Sequence, residues 1–350
     1  CRSRYRKTKI FNSMKAVVIR ELGDVSVLKV ETDYPKPTLA LGQALVRNTF
    51  AGLNFIDTYY RKGLYKKELP FVAGGEGGGV VEEISPNEKD GKCELNVGDT
   101  VAYRSFGSYA EFTAVPIGNC TKVPDGISLE KALAGMVQGL TAHYLTTDAC
   151  AGLMRSGDWC LIYAVGSGTT QWAAQMAKLQ GYRVIGTTSK TKEARARTCG
   201  CDELIVLDTA EGKTYADYES VDIAGRVKEI TGGAGCHAIL DGVGASTAAI
   251  SVACLARRGI WISFGNASGA VPPISLLSLT PKSAFVTRPK LSDYVTTPEE
   301  LEERCNDVFG WLKSNKLQVS IDQVFSLDYV QDGHTYLESG KSQGKILFKI

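Results

Sequence analysis

The stretch WCLIYAVGSGTTQWAAQMAKLQGYRVIGTTSK, residues 159–190, decides the fold. Leu161 through Val165 form a short apolar run that stops at Gly166-Ser167-Gly168. Trp172, Ala173, Met176 and Ala177 then recur at i, i+1, i+4 and i+5, one face of a helix. Val184-Ile185-Gly186 resumes a buried strand, so the segment predicts a βαβ crossover. In such a unit the glycine turn lets the backbone approach a pyrophosphate. The helix N-terminus adds unpaired N–H groups and the positive end of its dipole.

An acid about 20 positions past the first glycine would hold the ribose 2′-hydroxyl of NAD. This chain instead has Gly186-Thr187-Thr188-Ser189-Lys190, with no acid until Glu193. Hydroxyls and a lysine suit a 2′-phosphate, so the reading is NADPH. The expected cofactor contacts are Gly166, Ser167, Gly168, Thr169, Thr170, Thr188, Ser189, Lys190 and Lys192. Lys190, nearer the strand end, is expected to matter more than Lys192. One departure stands out: Gln171 occupies the third glycine position, where a small residue normally permits close helix–strand packing.

Outward from this unit, strands are predicted near residues 160, 184, 205, 238, 261 and 285, alternating with helices between about Val137 and Arg288. Six such strands imply a doubly wound parallel sheet. Before it, Leu45–Phe50, Gly79–Ile84 and Thr100–Tyr103 read as short strands punctuated by Gly74-Gly75, Gly77-Gly78-Gly79 and Val97-Gly98-Asp99. That spacing suggests an irregular β-barrel. Beyond Lys290, Leu301, Cys305, Val308, Phe309 and Leu312 form one helical stripe, and Gly344–Phe348 closes with a strand.

Composition narrows the function. The 350 residues suggest two domains, and 44% hydrophobic residues can build a large core. A net charge of +2 argues against a dedicated nucleic-acid surface. No apolar run approaches the ~18 residues of a membrane span. The ten scattered cysteines read as thiols of a reducing, cytoplasmic compartment. Residues 1–13 carry Arg2, Arg4, Arg6, Lys7 and Lys9 and no acid, while Met14 looks like a natural start. This leader is either a remnant of mitochondrial targeting or, the favoured reading, a disordered or non-native extension. Three histidines, His143, His237 and His334, are far apart, and Cys199-x-Cys201 has no second pair, so no metal is expected.

Four separated segments carry a family resemblance. Leu53-Asn54-Phe55-Ile56-Asp57-Thr58-Tyr59-Tyr60-Arg61-Lys62-Gly63-Leu64-Tyr65 resembles the signature segment of the zinc-independent quinone oxidoreductases. Gln138–Leu145 resembles their domain-joining helix, and Ser263–Gly269 and Val286–Pro289 resemble two further family segments. This family, which includes zeta-crystallin, belongs to the medium-chain dehydrogenase/reductase superfamily. The resemblance runs from Met14 to the C-terminus. It implies a GroES-like β-barrel catalytic domain, residues 14–136 and 289–350, around a Rossmann NADPH-binding domain, residues 137–288, in a homodimer. It places Asn54, Tyr59 and Asn266 near the nicotinamide, and Thr141, Gly242, Phe264, Gly265 and Lys345 on the cofactor. Zinc-containing relatives carry a cysteine near Asn54 and a histidine near Gly75, and both positions lack a ligand here.

The family turn usually reads Ala-x-x-Gly-Gly-Val-Gly, whereas here Thr170 replaces the last glycine; its hydroxyl is expected to be able to donate to a phosphate. The family lysine after the second strand aligns with Glu193, so Lys190 or Lys192 must substitute. The tyrosine often found after the third strand is replaced by Leu207 or Asp208.

A conjugated carbonyl that accepts hydride builds charge on oxygen, and a hydrogen-bond donor there lowers the barrier. Tyr65 and Tyr59 are the available phenols, and Asn54 can orient the amide or the carbonyl. Tyr65 either delivers a proton, as in the related enoyl-thioester reductases, or only lines the pocket. The implied function is NADPH-dependent reduction of quinones or related activated carbonyl and alkene compounds. The alternatives are a 2-enoyl thioester reductase and a weakly active NADPH-binding protein with an RNA-binding or structural role.

Overall fold

The computed structural model describes residues 13–85, 95–209 and 216–350. Of the basic leader, residues 1–12 lie outside the described residues.

The apolar runs between Trp159 and Thr287 form six parallel strands. Side by side they run Glu203–Leu207, Arg183–Ser189, Trp159–Ile162, Cys236–Asp241, Leu255–Ser263 and Phe285–Thr287. The order reverses between Trp159–Ile162 and Cys236–Asp241, the topological switch point where open α/β sheets bind ligands beyond the strand C-termini. All four residues of Trp159–Ile162 are buried, as expected for a strand covered on both faces. Trp172 belongs to the core on one side of the sheet and Trp261 to the core on the other.

The helix Gly168–Leu179 buries Trp172, Ala173, Met176 and Ala177, the stripe expected from the sequence. Its preceding strand ends at Ile162, three residues before the apolar run does, because Ala164 turns into the left-handed region at φ 53°. Val165 stays buried in the turn and donates its N–H to Thr187 O at 2.8 Å.

The second domain draws on both ends of the chain. Gln43–Leu53 pairs antiparallel with Gly77–Ile84, Phe112–Pro116 and the C-terminal strand Lys345–Lys349. Ile321–Ser326, Thr100–Tyr103 and Cys120–Lys122 extend that sheet, and Lys29–Pro35, Ser13–Ile19 and Phe71–Val72 form a second. An Ala16–Ala110 bridge ties Ser13–Ile19 to a loop of the barrel. The closing helix Pro298–Lys313 starts with a Thr297/Glu300 capping box and buries Leu301, Cys305, Val308 and Phe309. That stripe packs into the same core as Trp172, so the last third of the chain braces both domains.

Among the described residues no helix is long and apolar enough to cross a membrane. Cys150, Cys160, Cys199, Cys236, Cys254 and Cys305 are buried thiols.

Candidate active site

A cleft of about 1380 Å³ opens between the barrel and the C-terminal ends of the parallel strands. The sheet supplies its floor through Tyr163–Val165 and Gly242–Val243, and the barrel supplies the opposite wall through Leu53–Tyr60. Each side chain is set by one of these scaffolds.

The glycine turn comes first. Ser167, Gly168, Thr169 and Thr170 line the cleft. Ser167 leaves the first helical turn without a side-chain cap, so those N–H groups face the cleft for an anion. A Cβ on Gly168 would stand 2.6 Å from Gln138 Nε2, so a larger residue would have to displace the end of the Gln138 side chain. Two expectations change here. The Thr170 hydroxyl donates to Ala164 O at 2.6 Å, closing the turn from within rather than offering a phosphate contact. Gly166, at φ 91°, is not among the cleft-lining residues, and a Cβ there would meet the backbone of Ala196. Gln171 packs without a small residue because its amide is fully buried and bridges outward. Its Oε1 accepts from Arg195 at 2.5 Å and from Ser320 N at 3.0 Å.

At the far end of this floor, Thr188, Ser189 and Lys192 line the cleft. The structure reverses the expected order of the two lysines. Lys190 is 70% exposed and pairs with Asp208 at 2.6 Å, outside the cleft. The 3₁₀ turn Lys190–Lys192 instead swings Lys192 inward, where burial pushes its ammonium down to about 8. Among the described residues Lys192 has no ion-pair partner. Leu207 and Asp208 stand at the strand end as read from the sequence, and a tyrosine from further along, Tyr218, lines the cleft and meets the Tyr163 ring edge-on at 5.9 Å.

At the opposite end the two domains share hydrogen bonds. Tyr59 Oη accepts from the Asn266 N–H at 2.9 Å, and Tyr65 packs edge-on against Tyr59 with centroids 5.3 Å apart. Arg288 is the centre of this corner. It donates to Ser263 O, Ser263 Oγ and Gly265 O at 2.9–3.0 Å, and to Tyr65 Oη at 3.2 Å. Asn266, with its amide turned to satisfy both partners, accepts from Arg288 at 2.9 Å and donates to Gly265 O. Thr141, Gly242, Phe264 and Gly265 complete the lining.

Asn54 faces the cleft, but its amide is already engaged. Its Nδ2 donates to Glu76 at 2.7 Å, and its Oδ1 accepts from Lys345 at 2.9 Å and Gln138 at 3.3 Å. At most one amide N–H remains for a ligand, so Asn54 cannot act as a freely turning carbonyl holder. Lys345, expected on the cofactor, is fully buried and ion-paired with the equally buried Glu76. It does not reach the cleft surface. Glu76 also accepts from the Val137 N–H at 2.8 Å, which joins this pair to the domain-joining segment. Beneath it, Asp57 caps the Asn54 N–H at 2.8 Å and accepts from Tyr109 Oη at 3.1 Å; burial pushes its carboxyl up to about 7.

Two further residues, Arg288 and Asp241, hold the site. Arg288 belongs to the segment Val286–Pro289, whose sequence alone does not reveal its partners. Asp241, at a strand end, accepts from the N–H groups of Val243 and Gly244, from Thr247, Ser251 and Trp261, and so fixes the Gly242–Gly244 turn. An acid ending an apolar strand beside a Gly-x-Gly turn was the available signal. The histidines serve elsewhere: His143 bridges Asp307 and Arg304, His237 meets Asp158 at 3.6 Å, and His334 contacts Arg61. Among the described residues no three His, Cys, Asp or Glu side chains gather as metal ligands.

Comparison with known proteins agrees with this layout. Residues 40–156 match the alcohol dehydrogenase GroES-like domain family, and residues 210–347 match a family described as zinc-binding dehydrogenase. A Pseudomonas aeruginosa quinone oxidoreductase is 37% identical over 335 residues, covering 94% of this chain and 98% of that one. A Burkholderia 2-haloacrylate reductase is 33% identical, covering 95% and 98%. The crystal structure of Escherichia coli quinone oxidoreductase complexed with NADPH superposes with a TM-score of 0.87 at 33% identity, over 96% of this chain and all of that one. With the two-domain cleft, the Tyr59–Tyr65 segment and this end-to-end similarity together, the chain belongs to the quinone oxidoreductase family of the medium-chain dehydrogenase/reductase superfamily.

Proposed function

We propose that this chain is an NADPH-dependent oxidoreductase that reduces quinones or related activated carbonyl and alkene compounds without zinc. One observation carries the reading. A single cleft joins an uncapped helix N-terminus and the unpaired Lys192 at one end to two phenols at the other. The first end fits a pyrophosphate and a 2′-phosphate; the second fits an electron-poor, oxygen-bearing acceptor.

When bound, NADPH supplies a hydride from its nicotinamide. The protein's part is to place the acceptor and meet the charge that grows on its oxygen. Because Arg288 donates to the Tyr65 oxygen, the Tyr65 O–H is left free to donate onward. Tyr59 stands in the same relation to Asn266, since its oxygen accepts the backbone N–H and its own proton stays available. Both phenols can therefore hydrogen-bond an acceptor oxygen as it becomes anionic, and the proton it finally takes comes from Tyr65 or from water. Asn54 serves as a positioning residue through the Glu76–Lys345 pair. Zinc independence rests on the side chains themselves, with Asn54 and Gly75 standing where zinc-containing relatives carry ligands.

We also propose a homodimer and a reducing, cytoplasmic setting. Among the described residues the edge strand Phe285–Thr287 is unpaired on its outer side; Phe285 on it, and Leu276 and Leu277 in the turn before it, are exposed, Leu276 by 75% and Leu277 by 79%. An open apolar edge of this kind is ordinarily covered. The buried thiols suit the setting. The test is NADPH oxidation with 9,10-phenanthrenequinone, an acrolein-type aldehyde and crotonyl-CoA. Turnover of the first two is expected, and turnover of crotonyl-CoA alone would replace the proposal with an enoyl-thioester reductase.

A further inference from the structure

The cleft contains five basic side chains, and their partners separate them. Lys62 pairs with Glu338 at 2.8 Å, and Lys290 with Asp293 at 3.2 Å. Arg288 is bound to carbonyls and to Tyr65. Lys192 lies at the end assigned above to the 2′-phosphate. That leaves Arg104, which follows the strand Thr100–Tyr103 and lines the barrel end of the cleft with Ser105, Phe106 and Asn119. Its backbone is fixed, with the N–H bonded to Asn119 O at 3.1 Å. Its guanidinium has no hydrogen-bond or ion-pair partner among the described residues.

This is an unusual state for a half-buried arginine. Five N–H donors in a planar fork face a site partly stripped of water, where unpaired charge is costly. The negative charge facing it is Glu76, which Lys345 already neutralises. Tyr60 also faces it, and burial raises that phenol above its ordinary value, so it stays neutral. Burial lowers the guanidinium of Arg104 from its ordinary value, as expected for a desolvated cation without a counter-charge. Around it stand the rings of Tyr60 and Phe106, edge-on at 5.0 Å, and Tyr65 against Tyr60 at 5.7 Å. The result is an aromatic wall with an unpaired, fork-shaped donor set at its end and the Lys67 ammonium 3.7 Å from the centre of the Phe106 ring.

We propose that Arg104 is a specificity residue that pairs with an acidic group on the acceptor, so that the preferred substrates are planar conjugated compounds bearing a carboxylate or sulfonate. This rests on the oxidoreductase reading for its kinetic test but not for its binding test. A guanidinium binds a carboxylate through two parallel N–H···O bonds, which fixes orientation as well as adding affinity. The conjugated system of such a substrate would then lie along Tyr60 and Tyr65, with its reducible oxygen toward the phenols.

The test compares 1,4-naphthoquinone-2-sulfonate with 2-methyl-1,4-naphthoquinone in wild type, Arg104→Met and Arg104→Lys. The quantity read is the ratio of kcat/KM values, because intrinsic reactivity cancels between variants. Arg104→Met should lower the preference for the sulfonate by about tenfold to a hundredfold, the scale of one charge-assisted hydrogen-bonding interaction. Arg104→Lys should retain part of it. In parallel, 1-naphthoate and 1-naphthamide, neither of them a hydride acceptor, are titrated calorimetrically into each protein. Wild type should favour the naphthoate and Arg104→Met should not. If wild type reduces neither quinone, the oxidoreductase reading fails while the calorimetry still decides the role of Arg104. An unchanged ratio and an unchanged naphthoate preference in folded Arg104→Met would overturn the proposal. So would an equal loss of NADPH affinity, which would assign Arg104 to the cofactor. The Met variant should fold, since the guanidinium it removes has no partner in the fold.

Discussion

Replacing Lys192 tests the assignment of the cofactor end most directly. Its ammonium is half-buried in the cleft, flanked by Thr188 and Ser189; it makes no ion pair among the described residues, and the charge of Asp322 offsets its desolvation only in part. A hydrogen bond to a charged group contributes about 1.5–3 kcal/mol, and 1.4 kcal/mol is a factor of ten. Lys192→Ala should therefore weaken NADPH binding by about tenfold to a hundredfold and leave NADH nearly unaffected. Lys190→Ala should change the NADPH/NADH ratio by less than about threefold, because an exposed cation already paired with Asp208 contributes little.

The pH dependence gives the same test without a mutation. Burial lowers Lys192 to about 8, so below pH 8 the free protein carries the ammonium that a 2′-phosphate needs. The phosphate favours the charged form and raises that value in the complex. The preference for NADPH should thus be full near pH 7. It should fall as pH rises through 8, and level off once pH passes the raised value. Lys192→Arg keeps its charge throughout and should flatten the profile. Dissociation constants for both cofactors by fluorescence titration from pH 6.5 to 10 measure all of this. Wild type with equal affinities, or Lys192→Ala with an unaltered ratio, would refute the reasoning.

Three further outcomes are expected. Glu76→Gln leaves Lys345 buried without a counter-charge and should cost about 3–5 kcal/mol in denaturant unfolding, with part recovered in Glu76→Gln/Lys345→Met. Tyr65→Phe should lower quinone kcat by less than about tenfold, ~1.4 kcal/mol, whereas a thousandfold collapse with NADPH affinity intact would make Tyr65 an obligatory acid. Dialysis against a strong chelator should leave both rate and melting temperature unchanged; loss of activity together with stoichiometric zinc would contradict zinc independence.

The parallel sheet was legible because burial on both faces writes itself as apolar runs, and Trp159–Ile162 or Cys236–Asp241 need no distant partner to be recognised; the barrel was legible from short strands set between glycine turns. The candidate cleft was legible as backbone for the same reason. Pairings were not. Lys190 and Lys192 are chemically alike and two residues apart; only the 3₁₀ turn, and an aspartate 18 positions later, decide which enters the cleft. Thr170 reads equally well as a phosphate donor or as a turn clasp until Ala164 is seen at φ 53° with its carbonyl aimed at the hydroxyl. Lys345 finds Glu76 across 269 residues, a separation that no local pattern encodes.

That long-range pair also explains why the Asn54 amide is held as it is. Glu76 joins three separate parts of the chain: Asn54 after one barrel strand, Lys345 in the last strand, and the Val137 N–H in the helical segment that precedes the parallel sheet. A neutral substitute could fill the space, but it could not accept from an amide, an ammonium and a backbone N–H at once. Burying two charges is costly, and such a pair is weak evidence for stability. Here its geometric effect is the stronger argument, because one buried carboxylate ties Asn54, the last strand and the segment before the parallel sheet to one another. The two basic side chains of the cleft that make no ion pair among the described residues, Lys192 and Arg104, then stand at its opposite ends, one assigned to the expected phosphate and one to the acceptor. The fold neutralises or ties down each of the others.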